Sequence, residues 1–138
     1  MNKSILIAAS LLIFGCGATA YQPYGLTGGY SDKKISEDEF IIAFDGNIRT
    51  AEDRAIHLTM LRAAEITLNN GYKYFVIEQG SFKLLPNEPY VEGTVYSPRY
   101  IHSAGDVAHT YILIKCYMKL PDSVQSYDAA IVQKTLKK

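Results

Sequence analysis

Three histidines (His57, His102, His109), two cysteines (Cys16, Cys116) and scattered carboxylates are the side chains of this 138-residue sequence from which chemistry could be built. His102 and His109 flank an expected turn at Ser103-Ala104-Gly105-Asp106 and could approach each other. A zinc site needs three or four convergent ligands, and no closely spaced set completes this pair, so no metal site is expected. His57 follows Asp53 by one helical turn, which lets the two share a hydrogen bond. A hydrolase would also need a positioned nucleophile and an oxyanion-stabilising site. Ser81, Ser97 and Ser103 fall in loops or weak strands, and no G-x-S-x-G turn is present. The carboxylate pairs Glu39/Asp53 and Glu65/Glu78 would serve a glycosidase only at a fixed spatial separation, which chain spacing does not supply. The sequence therefore offers no catalytic set and no cofactor motif. Arg62 and Glu65, three residues apart, meet on one helical stripe. They read either as a structural ion pair or as a recognition pair for a ligand or partner.

The element that carries Arg62 and Glu65 is the stretch from Thr50 to Phe75. Thr50 is the expected N-cap, with Asp53 completing a pattern like a capping box. Ala, Leu, Met, Arg and Glu then favour helix, and Asn69-Asn70-Gly71 stops it, with Gly71 suited to a left-handed cap. At about 100° per residue, Ile56, Met60, Ala63 and Ala64 share one arc, while Ala55 and Leu58 lie among the polar residues opposite. Such wide burial implies a sheet on one side and partial cover on the other from a terminal segment or a partner.

Strands are expected on both sides of the helix, at 39–45 and 72–79, joined as a right-handed crossover with parallel pairing. Residues 80–89 read as a loop or weak edge, because Pro86 and Pro89 do not suit a central strand. Its Phe82, Leu84 and Leu85 need cover or form a contact surface. A broken strand follows at 91–101. The longest is at 107–119, with Ile112, Ile114, Cys116 and Met118 on one face. A last helix is expected from Ser123 to about Lys137, docked through Val124, Tyr127 and Ile131. The fold class is thus α+β: a two-layer sandwich of a four-stranded, mostly antiparallel sheet with one β-α-β crossover and two covering helices.

The amino-terminal region has a different logic. Lys3, the apolar run Ile5 to Phe14, and Gly15-Cys16 have the layout of a secretory signal peptide, too short for an ordinary transmembrane span. Leu12-Ile13-Phe14-Gly15-Cys16 resembles a bacterial lipobox, which implies lipid attachment, including palmitate, on Cys16 and cleavage before it. Gly17 is not the aspartate linked to inner-membrane retention, so the outer membrane is favoured. A secreted protein cleaved near Ala18-Thr19-Ala20 is the competing reading. Cleavage before Cys16 leaves about 120 residues, enough for one compact domain. With 14 basic and 14 acidic side chains in the whole chain, nothing marks a nucleic-acid surface. With Cys16 lipidated, Cys116 has no intrachain partner and reads as a small buried hydrophobe. Between Ala18 and Tyr30, Tyr21, Tyr24 and Tyr30 alternate with glycines, as in a segment that packs its rings on the domain or lines a binding groove.

Three blocks, Tyr21-x-Pro-x-Gly-x-x-Gly-Gly-Tyr30, Phe44-x-Gly-Asn47-x-x-Thr50 and Arg62-Ala-Ala-Glu65-x-Thr-x-x-x-Gly-Tyr72-x-Tyr-Phe75, together resemble a family of short, largely uncharacterised proteobacterial lipoproteins. That resemblance implies export, lipidation and a small α/β domain, and it brings no activity, cofactor or catalytic residue. It points to Gly28, Gly29, Gly46, Asn47, Arg62 and Glu65 as fold-defining.

The expected organisation is a lipoprotein signal peptide at 1–15, a lipid anchor and Gly/Tyr-rich segment at 16–35, and a single α+β domain at 36–138. The expected role is a noncatalytic envelope lipoprotein, held to the membrane by its amino-terminal lipid and facing the periplasm. It would bind a protein or envelope component through Tyr21, Tyr24, Tyr30, Phe82 and Leu84. The alternative is a periplasmic small-molecule binder or an enzyme of unknown class.

Overall fold

The computed structural model describes residues 17–81 and 107–137. The expected signal peptide, Cys16, Phe82, Leu84, Ser97, His102, Ser103 and the expected strand at 91–101 lie outside them. The described chain forms an α+β fold of two helices and a five-stranded antiparallel sheet. In chain order the elements are β1 (Gly29–Lys34), β2 (Glu39–Asp45), α1 (Glu52–Asn69), β3 (Tyr74–Gly80), β4 (His109–Tyr117), β5 (Tyr127–Asp128) and α2 (Ala129–Leu136).

The strand order is β1-β2-β4-β3-β5, which corrects the expected crossover. Strands β2 and β3 do run parallel, since each is antiparallel to β4, but they do not pair. Instead β4 lies between them, giving a split β-α-β arrangement. Its alternation explains the central place: Thr110, Ile112, Ile114 and Cys116 are all buried, and both its edges find backbone partners. Two strands go beyond the expected set. β1 is largely polar and owes its form to ladder bonds with β2 rather than to an apolar face. β5 is a two-residue addition that pairs Tyr127 and Asp128 with Phe75 and Tyr74.

One face of the sheet carries Phe40, Ile42, Phe44, Phe75, Ile112, Ile114 and Cys116, all buried. Helix α1 lays Ile56, Met60, Ala63 and Ala64 on it, and α2 adds Ala129 and Val132 to the same core. A second cluster extends the cover of α1 beyond this core: Ala55 and Leu58 pack with Phe44 and Ala108, with the half-buried Tyr21 and Tyr30 of the amino-terminal segment against them.

The helix boundaries show which local signals prevail. At the end of α1, Gly71 adopts φ +82°. Its N–H donates to the Leu68 carbonyl and that of Tyr72 to the Thr67 carbonyl, a Schellman cap as expected. The expected start is corrected. The N-cap is Ala51, with no side-chain cap, because the Thr50 hydroxyl is used by the turn before it. Asp53 accepts from its neighbour Arg54 N–H rather than completing a capping box. The second helix is also shorter than expected. Ser123 takes a positive φ of 64°, Val124 stays exposed, and the helix starts only after Asp128, whose carboxylate accepts from Ile131 N–H at 3.1 Å.

Candidate functional site

The polar residues singled out by the sequence meet where the amino-terminal segment crosses α1. In β1, Tyr30 and Asp32 pair with Phe44 and Ile42 and therefore share their helix-covered face. Arg62, on α1, donates from Nε and Nη2 to Asp32 Oδ1 at 2.8 and 2.7 Å. Its Nη1 reaches Glu65 Oε2 at 3.3 Å. The guanidinium lies 4.3 Å from the centre of the Tyr30 ring, within cation–π range. The Tyr30 ring in turn lies 4.7 Å from that of Tyr21. Tyr21 Oη donates to Glu65 Oε2 at 2.5 Å and closes the circuit. Burial, then the Glu65 acceptor and its charge, push the Tyr21 phenol well above its ordinary pKa. Burial opposes the charge of Arg62, but the Asp32 hydrogen bond and charge outweigh it and raise its pKa. The cluster joins the Arg62 guanidinium, the side chains of Asp32 and Glu65 and the Tyr21 phenol into a latch between the amino-terminal segment and α1.

A second stitch lies at the β2–α1 corner. Thr50 Oγ1 accepts from Asn47 N–H and from Thr19 N–H, both at 3.0 Å, and donates to Asn47 Oδ1 at 3.1 Å. Asn47 Nδ2 donates to the Gly17 carbonyl at 2.9 Å. Close approach explains the glycines. A Cβ on Gly28 would sit 2.2 Å from the Asp45 carbonyl oxygen, and one on Gly46 2.7 Å from Thr50 Cβ. The three sequence blocks thus converge in space, with the first tied to the other two.

Beside this corner lies an open depression of about 550 Å³ between the turns around Leu26 and Ile48, with Asp45 and Val107 at its wall. Its rim is apolar and exposed: Leu26 entirely, Ile48 by 85%, Tyr24 by 64% and Val107 by 45%. Among the tyrosines expected at an interface, Tyr24 alone is free of the latch, since Tyr21 and Tyr30 are engaged within the fold. Leu26, Ile48 and Val107 escape sequence reasoning. Their signal is the placement of aliphatic side chains beside turn residues, where polar ones are usual.

The face of the sheet opposite α1 and α2 is the other distinctive surface among the described residues. Ile41 pairs with Leu113 and Ala43 with Tyr111, and Ile41 and Tyr111 are 37% and 46% exposed. This apolar strip is framed by Glu39 with Lys115, at 3.8 Å, and by Asp45 hydrogen-bonded to His109.

Among the described residues the remaining chemical candidates do not assemble. His57 is half-buried on α1, its Nε2 buried without a hydrogen-bond partner among the described residues. Burial lowers its pKa, against the opposing charge of Asp53. His109 is engaged with Asp45, and Ser81 is bonded to the Tyr111 backbone. Cys116 is buried beside Thr67, and burial raises its pKa. Among the described residues no group of three metal-ligating side chains occurs, and no helix is long and apolar enough to cross a membrane. Comparison with protein-family models, curated proteins and solved structures found no match to this chain.

Proposed function

We propose that this chain is a noncatalytic, lipid-anchored protein of the cell envelope, attached through Cys16 to the outer membrane and facing the periplasm. Its α+β domain works as a two-layer sandwich, with the helices on one side and a binding face on the other. The observation that carries the binding role is the strip of Ile41, Ala43, Tyr111 and Leu113 with charged pairs at both ends. An apolar centre containing a tyrosine, with a polar rim, is the composition of a protein interface. The latch fits the same reading, because Arg62, Glu65, Asp32 and Tyr21 bond to one another across the fold.

The test is a photocrosslinking amino acid at position 111 of the full-length protein in intact envelopes. One discrete adduct, lost on Ile41→Glu while the protein remains folded, is the expected result. Absence of any adduct at positions 41 and 111, with the protein folded and lipidated, refutes binding through this face. Mass spectrometry of the wild type and Cys16→Ser tests the anchor: acyl groups must be present on the first and absent from the second.

A further inference from the structure

The anchor and the apolar rim are separated by almost no chain. Gly17 directly follows Cys16, and its carbonyl is held by Asn47. Two residues on, Thr19 is buried and bonded through its N–H to Thr50 and through its hydroxyl to the Thr27 carbonyl at 3.0 Å. A lipoprotein domain on a long flexible tether can stand away from the bilayer. This one has no such tether, because consecutive Cα atoms are about 3.8 Å apart and the stitching starts at the residue after the cysteine.

Both turns beside that point hold an aliphatic side chain outward on a fixed backbone. Gly25 and Gly28 exchange backbone hydrogen bonds at 3.2 and 3.1 Å, which leaves Leu26 at the tip. Gln22 Nε2 braces the same turn by donating to Thr27 Oγ1 at 2.7 Å. Ile48 follows Asn47 in a turn closed by Thr50 N–H donating to the Asn47 carbonyl at 2.9 Å. Tyr24 and Val107 complete the rim. Exposed Arg49, next to Ile48, can extend its charge to headgroups while its stem lies along apolar surface. Tyrosine also suits this boundary, having an apolar body and a polar tip.

From this placement we infer that Leu26, Ile48, Tyr24 and Val107 form a membrane-contact surface that seats the domain directly on the phospholipid headgroup layer. The occupant is a lipid surface, and the inference rests on the proposed acylation of Cys16. Leu26 and Ile48 enter the interface to a depth of about 5–10 Å, typical of peripheral apolar side chains. They fix the domain's orientation, while the acyl chains supply its attachment.

The test uses full-length acylated protein in vesicles of phosphatidylethanolamine and phosphatidylglycerol. An environment-sensitive fluorophore is placed through Leu26→Cys, Ile48→Cys or, as a control on α2, Lys134→Cys, each with Cys116→Ala. The labels at 26 and 48 are expected to shift to the blue and to be quenched by nitroxide-bearing lipid, and the label at 134 to report water. Water-like spectra at 26 and 48 on acylated, vesicle-bound protein overturn the contact surface and leave the anchor standing. Protein purified from envelopes without acyl mass on Cys16 overturns the anchor, and the contact surface with it.

Discussion

Removing one oxygen tests whether the latch holds the amino-terminal segment to the domain. Tyr21→Phe keeps the ring that packs against Tyr30 and over the Phe44–Leu58 cluster, so the substitution removes the hydroxyl, with its hydrogen bond to Glu65 and its weaker interaction with Arg62. A hydrogen bond to a charged group contributes about 1.5–3 kcal/mol. Because the Glu65 and Arg62 side chains remain 15% and 18% exposed, solvent screening favours the lower end, about 1.5 kcal/mol. The Cys16→Ser domain, which lacks any acyl chain, is the form to unfold in urea. With a slope of about 1.5 kcal/mol/M for a domain of this size, the midpoint should fall by roughly 1 M. In a Glu65→Gln background the acceptor is neutral, and the same substitution should cost less than about 1 kcal/mol. The difference is the coupling that a double-mutant cycle isolates. A midpoint for Tyr21→Phe equal to that of the parent would refute the latch as a stabilising contact.

Gly29→Ala would bring a Cβ within 2.3 Å of the Gln22 carbonyl oxygen at φ +135°, whereas Gly71→Ala meets no atom within 4 Å at φ +82°. The first should therefore cost well over 2 kcal/mol, and the second only the left-handed strain of about 1–2 kcal/mol, as read from urea midpoints. Burial holds the His57 imidazole below its ordinary 6.5, so the unfolded chain takes up this proton first on acidification. The stability that neutral His57 contributes is complete above pH 6.5 and is lost as pH falls through the folded-state value. His57→Gln should flatten the acid side of the stability profile, and an unchanged slope would count against this assignment. Cys116 should react with iodoacetamide at least about a hundredfold more slowly in the native Cys16→Ser domain than in urea, because thiolate formation requires local opening. Equal rates in the two states would place the thiol at the surface.

What the sequence revealed follows the range of the forces involved. The C-cap of α1 and the burial of Ile112, Ile114 and Cys116 on β4 depend on neighbours a few residues away, and they are as expected; Met118, expected on the same face, lies past the end of the strand and is 55% exposed. The N-terminus of α1 departs from the expected cap because one hydroxyl has two other uses: Thr50 binds the Asn47 turn and the distant Thr19 N–H and does not cap. Strand β1 has no apolar alternation to announce it, since its form comes from the edge of β2. The insertion of β4 between β2 and β3 is a long-range pairing that no local periodicity encodes. Helical spacing made the Arg62–Glu65 pair legible. Tyr21 and Asp32, 44 and 30 residues away in sequence from their partners, join it only in the fold. The latch could thus be half seen, and the exposed rim not at all, because Leu26 and Ile48 look like ordinary loop residues until the two turns lie side by side.

The two proposed surfaces constrain each other. Asp45 ends β2 beside the rim, and Ile41 stands four residues back along the same strand. At about 3.3 Å per residue, that places Ile41 roughly 13 Å from the seated end. The binding strip therefore begins near the headgroup layer and extends along the strands away from it. The rim lies at one end of the strands and the strip on their broad face, so seating the first on lipid turns the second sideways, along the membrane. A partner that engages Ile41 and Tyr111 would then have to be membrane-bound or held close to the same bilayer. Adducts formed at position 111 of the Cys16→Ser protein, which lacks the anchor, should accordingly still fractionate with the membrane. Adducts of that variant recovered in the soluble fraction would break the link between the two surfaces, even with each still able to bind.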